Sequence, residues 1–168
     1  MRLKIFLIVL KLALTVSFFL FLLVQVANQA EPKAAQQWEI YLKISPTSIE
    51  FPSADPDLQP VIMGNPPVRI TISTWPPRRE WTLYIRAEGH LISGEGYIID
   101  ISNISWRATP QPPFNDGTFV AGMNILLGTG KTDSKGIQEG EITFFFRNSW
   151  NYYAGLYRQS VTFTATTP

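Results

Sequence analysis

The chain has 168 residues, 13% aromatic and 16% charged, with 14 Lys and Arg against 13 Asp and Glu, one histidine and no cysteine. Lack of cysteine excludes a disulfide framework, a lipidated lipobox, a thiolate metal site and a thiol nucleophile. The basic residues are scattered, with only Arg78 and Arg79 adjacent, whereas a nucleic-acid face needs them clustered, so no nucleic-acid partner is expected.

Residues 1–30 have the pattern of an export segment: Arg2, Lys4 and Lys11 come before an apolar run from Leu12 to Val24, and small or polar residues follow to Ala30. Counted from Lys11 the apolar core is 13 residues, a signal-peptide length. Counted from Ile5 it is 20 residues with Lys11 as an interruption, enough to span a bilayer if that lysine snorkels to the headgroups. Ala30 is the best small residue for cleavage, but Asn28 stands where a second small uncharged residue is wanted. The segment is therefore a removable signal peptide or a membrane anchor, and in both cases the basic start sends Glu31 onward outside. Three of the 14 basic residues and none of the acidic ones fall in it, leaving 11 against 13, a net charge of −2 for the exported part.

Residues 31–37 form a polar leader, and 38–168 suit one domain able to bury a core without disulfides. An exported chain without cysteine fits a bacterium that makes little use of disulfides.

From Trp38 onward the hydrophobic period is two. Trp38, Ile40, Leu42 and Ile44 alternate with Glu39, Tyr41, Lys43 and Ser45; Val68, Ile70 and Ile72 alternate with Arg69, Thr71 and Ser73. Trp81, Leu83, Ile85 and Ala87 alternate in the same way with Thr82, Tyr84, Arg86 and Glu88. Each is the pattern of a strand with one buried face. Tyr97, Ile99 and Ile101 hold one phase while Ile104 and Trp106 hold the other, so a bulge or bend is expected near Ser102 and Asn103. Further strands are expected over 119–127 and 142–146, and at the end where Val161, Phe163 and Ala165 oppose Ser160, Thr162 and Thr164. Proline and glycine clusters separate these runs, and no helical period follows residue 30. The expectation is an all-β, antiparallel, immunoglobulin-like β-sandwich.

Few motifs suggest chemistry. Gly130-Lys131-Thr132 has the ending of a phosphate loop, but the opening glycine position is Ile125 and strands flank the segment, so a hairpin is expected. Asp55-Pro56-Asp57 supplies two carboxylates in a proline-rich loop and reads as a solvated turn rather than a calcium site. His90 is the only imidazole, and Glu139 with Glu141 shares one face of a strand start. Neither makes a catalytic constellation, so no enzyme activity, metal or cofactor is expected. Trp38, Trp81, Phe119, Phe144, Phe146 and Phe163 fall in phase with aliphatic neighbours and are expected in the core. Trp75, Trp150, Tyr152 and Tyr153 fall out of phase in loops, a candidate surface for stacking on sugars or anchoring a protein partner.

Tyr153-Ala154-Gly155-Leu156-Tyr157, followed by Val161 to Ala165, resembles the end of exported bacterial immunoglobulin-like and pilus-type sandwich domains. The resemblance implies a structural role for Tyr157, tied back to the backbone at a sandwich corner. Trp81-Thr82-Leu83 is similar to the Trp-x-Leu motif of cell-wall-binding domains of Gram-positive bacteria, which implies attachment to peptidoglycan. A second such motif near the C-terminus is missing, since Trp150 is followed by Asn151 and Tyr152.

These observations lead to an expected non-catalytic exported surface protein, structural or adhesive, in the cell envelope or a surface filament. Its partner would be a protein or a cell-wall polysaccharide surface, with membrane contact only through an uncleaved N-terminal segment. The alternative is a carbohydrate-binding module using the four loop aromatics.

Overall fold

The computed structural model describes residues 38–168; the export segment and polar leader expected over 1–30 and 31–37 lie outside the described residues. Alternation of apolar and polar side chains makes a strand only when its apolar face meets another, and here it produces two antiparallel layers. The strands are β1 Glu39–Ser45, β2 Val61–Met63, β3 Val68–Trp75, β4 Glu80–Ala87, β5 Leu91–Ser93, β6 Ile98–Ile99, β7 Ile104–Thr109, β8 Gly117–Thr118, β9 Ile125–Lys131, β10 Ile137–Arg147, β11 Tyr157–Arg158 and β12 Val161–Thr166. Among the described residues no helix is long and apolar enough to cross a membrane.

The first layer runs β1-β3-β10-β7-β8, with β2 also paired to β10. Met63 faces Phe145 and Val68 faces Ile142, so residues 64–67 stand opposite only 143 and 144. This bulge is held where the Gly64 N–H donates to the Phe144 carbonyl at 2.8 Å. The second layer is β12-β4-β9, continued past a bend by the small sheet β11-β5-β6. At the bend the Glu88 N–H reaches the Ser160 carbonyl at 3.3 Å. Ile70, Ile72 and Ile142 of the first layer and Trp81, Leu83 and Ile85 of the second are fully buried in one core cluster. Each such side chain contributes roughly 1.5–3 kcal/mol on leaving water. The described residues form an all-β antiparallel sandwich, as their alternation leads one to expect.

The phase change expected near Ser102 and Asn103 is a single 3₁₀ turn, Ile101–Asn103, capped by the Asp100 carboxylate accepting the Ser102 N–H at 2.8 Å. One extra turn lets Ile101 and Ile104 both point inward. Gly130-Lys131-Thr132 lies at the end of β9 and in the connection to β10. A Cβ on Gly130 would meet the Trp81 ring at 3.0 Å, so this glycine makes room for tryptophan rather than for phosphate. Thr132 is buried, its hydroxyl 2.7 Å from that of Thr74 and accepting the Arg79 N–H at 3.2 Å.

Between β9, the edge of the second layer, and β10 of the first sits Phe114, which follows four residues from Pro110 and is buried. Its backbone bridges to Gly128, and a Cβ on Gly140 would clash with one edge of the Phe114 ring. The ring lies 5.5 Å from that of Trp81, tilted by 34°. Two glycines, Gly128 on β9 of the second layer and Gly140 on β10 of the first, thus form a slot for one aromatic.

Of the aromatics expected in the core, Trp81, Phe119 and Phe144 are buried and Phe146 and Phe163 are half-buried against it. Trp38 is an exception, at 49% exposure. It precedes the first pair of β1, Glu39 with Trp75, so no neighbouring strand covers it; the Arg79 guanidinium sits 3.8 Å from its ring centre instead.

Candidate functional site

The small sheet carries an aliphatic outer face. In β5 and β6, Leu91, Ser93 and Ile99 point into the protein, so Ile92 and Ile98 point out, at 50% and 64% exposure. Pairing places Ile98 and Arg158 on either side of Ile92. Leu156, 68% exposed, stands just before β11, two residues ahead of Arg158, the partner of Ile92. Ile92 and Ile98 therefore adjoin on the outer face of the small sheet, with exposed Leu156 at its margin, where the alternation of the longer strands would place polar residues. Strands of two or three residues have too little alternation to declare a phase, so this patch was not visible as such in the sequence. Its signal is Ile92 and Ile98 each lying next to another inward-facing apolar residue.

The rim of this face is rigid. The Tyr97 and Tyr153 rings stack 4.2 Å apart at 18°. The Tyr157 hydroxyl donates to the Tyr153 carbonyl at 2.9 Å, and the Tyr97 N–H donates to the Ser93 hydroxyl at 3.0 Å. Tyr153 is thereby held by both its ring and its backbone.

The structure does not bring the four loop aromatics together. Tyr153 is at the rim just described. Tyr152 leans on Phe146, ring centres 5.7 Å apart, and belongs to the margin of the core. Trp150 is exposed in a turn closed by the Tyr152 N–H to the Ser149 carbonyl at 3.3 Å. Trp75 ends β3, where Ser73 pairs with Ile137 at the start of β10, whereas the other three follow the end of β10. The 11 residues of β10 separate them, about 33 Å at ~3.3 Å per residue. Trp75 instead neighbours Glu39 and Tyr41 on β1.

The remaining polar candidates are engaged locally. His90 Nδ1 accepts the Ile101 N–H at 3.3 Å and lies 3.7 Å from the Asp100 carboxylate. Hydrogen bonds from Ser102, and to a lesser degree the nearby His90, hold the Asp100 carboxyl below its ordinary pKa. Asp55 accepts the Asp57 N–H at 2.9 Å, the bond of a simple turn. Glu139 and Glu141 are exposed on the outer face of β10, opposite Thr71 and Arg69 of β3. Among the described residues no three His, Asp or Glu converge as a metal site. An open groove of about 530 Å³ borders Val61, Arg107, Asp116, Thr118 and Phe145. Asp116 there accepts the Ala108 N–H at 2.8 Å and bonds the Gln111 amide, so its carboxylate shapes the loop. Trp81 and Leu83 of the Trp-x-Leu match are fully buried and present nothing to a wall polymer.

Fold and surface together define an antiparallel sandwich with exposed aliphatic side chains on its small sheet. Comparison with known proteins finds no family model that matches the chain, no similar curated protein and no similar solved structure.

Proposed function

We propose that this chain is a non-catalytic exported surface protein, a structural or adhesive component of the cell envelope or of a surface filament, which docks a protein partner on its Ile92–Ile98–Leu156 face. The observation that carries the reading is the adjacency of exposed Ile92 and Ile98, with exposed Leu156 just before the neighbouring strand. Contiguous apolar surface with a polar, pre-ordered rim is a recurring mark of protein contact, and side chains immobilised beforehand lose less entropy on docking. Covering each aliphatic side chain contributes on the order of 1.5–3 kcal/mol before the costs of association. The adjoining edge supports the same use: β12, Val161–Thr166, contains neither charge nor proline, the devices that close a sheet edge to foreign strands. The basic and apolar start of the chain supports export, and the resemblance of 153–165 to exported bacterial sandwich domains agrees with it.

Fractionation of cells producing the full chain tests this. Ile98→Asp places a charge on the face, beside Ile92, while leaving the core untouched, and it is expected to shift the protein from the envelope fraction toward the medium, or from multimer to monomer if the partner is a second copy. Envelope retention and oligomeric state identical to wild type would refute the docking face.

A further inference from the structure

We infer that the outer face of β1 and β3 is a binding platform for an extended, β-linked pyranose chain, with Trp75 and Tyr41 as its stacking rings. The two residues point away from the core on neighbouring strands and are 64% and 61% exposed. Glu39 pairs with Trp75 and Ser73 pairs with Tyr41, so the rings occupy diagonal positions, about 7–8 Å apart at the backbone. At that backbone separation both rings can contact one sugar chain. Neither ring is stacked on another aromatic among the described residues.

The chemistry around the rings differs from that of the small sheet. Glu39, Lys43, Thr71 and Ser73 share the face with them, offering a carboxylate, an ammonium and two hydroxyls as acceptors and donors. The electron-rich face of an aromatic ring attracts the C–H groups on one side of a pyranose, while hydroxyls at the sugar's rim need polar partners in the plane around it. A protein-docking face wants branched aliphatics, as at Ile92, Ile98 and Leu156; a sugar-binding face wants flat rings set among polar groups. Both kinds of surface are present, on different sheets. Two rings exposed on the same face of adjacent extended strands favour an extended ribbon over a coiled or branched glycan. Opposite charges at Glu39 and Lys43 give no preference for an acidic or basic polymer.

The platform is also fixed in advance. The Tyr41 hydroxyl donates to the Glu39 carboxylate at 2.6 Å, and that bond with the carboxylate's charge raises the phenol pKa above its ordinary value. The ring's tilt is therefore set before a ligand arrives, which reduces the entropy lost on binding.

The test is affinity electrophoresis of the full chain in native gels containing hydroxyethyl cellulose or glycol chitin, against a gel without polymer. The two polymers share the β-linked pyranose backbone and differ in the acetamido group, so the stronger retardation names the source. Wild type is expected to be retarded by at least one of them, with affinity reduced about tenfold in each of Trp75→Ala and Tyr41→Ala, the loss of roughly one stacking contact. Tyr41→Phe keeps the ring and retains most of the retardation, and Trp150→Ala, at the far end of β10, retains all of it. Circular dichroism unchanged from wild type shows that the variants are folded. No retardation of wild type by either polymer overturns the inference, as does retardation that survives both alanine substitutions or is lost with Trp150→Ala.

Discussion

Gly140→Ala adds one methyl group, yet it should be among the costliest small changes available in this chain. The new Cβ would clash with the ring of Phe114, which occupies a slot between Gly128 and Gly140. Backbone cannot yield cheaply there, because Gly140 pairs with Ile70 in the middle of the first layer, so the ring must leave. Its departure loses the burial of a phenyl side chain, roughly 1.5–3 kcal/mol, and its tilted contact with Trp81, roughly 0.5–1.5 kcal/mol. The expected destabilisation is about 2–4.5 kcal/mol. Phe114→Ala, leaving the slot empty, should cost about 3–5 kcal/mol. The two changes act on the same volume, so in the double variant the methyl group fills part of the space the ring vacates. The pair should be less destabilised than the sum by more than about 1 kcal/mol. Urea unfolding followed by tryptophan emission measures all three, with an unchanged slope of free energy against denaturant as the sign that the unfolded state is the same. A Gly140→Ala cost below about 0.5 kcal/mol, or costs that add, would show that Phe114 does not sit in a glycine slot.

Three further outcomes follow from the geometry. Thr132→Val removes the buried hydroxyl that bonds Thr74 and accepts the Arg79 N–H; the stranded donor should cost about 1–3 kcal/mol in the same unfolding assay, and a neutral effect would contradict that bonding. Tyr157→Phe deletes the bond to the Tyr153 carbonyl at a cost of about 0.5–1.5 kcal/mol, and should weaken the near-ultraviolet dichroism of the Tyr97–Tyr153 stack; an unaltered signal would show that the bond does not order the rim. Asp133 is held below the ordinary carboxylate pKa, first by the Ile137 N–H, then by the Lys135 and Gly136 backbone and the Lys135 charge, against partial desolvation. A carboxylate with a lowered folded-state pKa stabilises the fold above its unfolded-state value and loses that contribution as pH falls through the folded one. Asp133→Ala should therefore flatten the acid side of the stability profile below about pH 4; a profile parallel to wild type would refute it.

Long strands were legible because seven or eight residues of alternation define a buried face. β1, β3 and β4 each lie where the period of two places them. What the sequence concealed depends on pairings across the chain. Phe114 is flanked by proline and turn residues and looks like loop; only the glycines at 128 and 140, on two other strands, make it core. Trp38 shares the inward phase of β1, but phase says nothing about whether a neighbour extends far enough to cover a strand's first residue. Trp75 and Trp150 both look like loop aromatics, and their separation becomes visible only once β10 is known to run the length of the first layer. Tyr41 stood in the outward phase of its strand all along, an aromatic among Glu39, Lys43 and Ser45. Its importance comes from Trp75, 34 residues later, being brought beside it by the β1–β3 pairing.

The claim that the small sheet is a docking face is tested most directly by photo-crosslinking in intact cells. A photoreactive amino acid is placed at position 98, on the aliphatic face, or at position 71, on the polar outer face of β3, in the full chain. The account predicts a discrete protein adduct from position 98, absent from position 71 and lost when Leu156→Asp is added. Equal labelling from both positions, or no protein adduct from position 98, would contradict it.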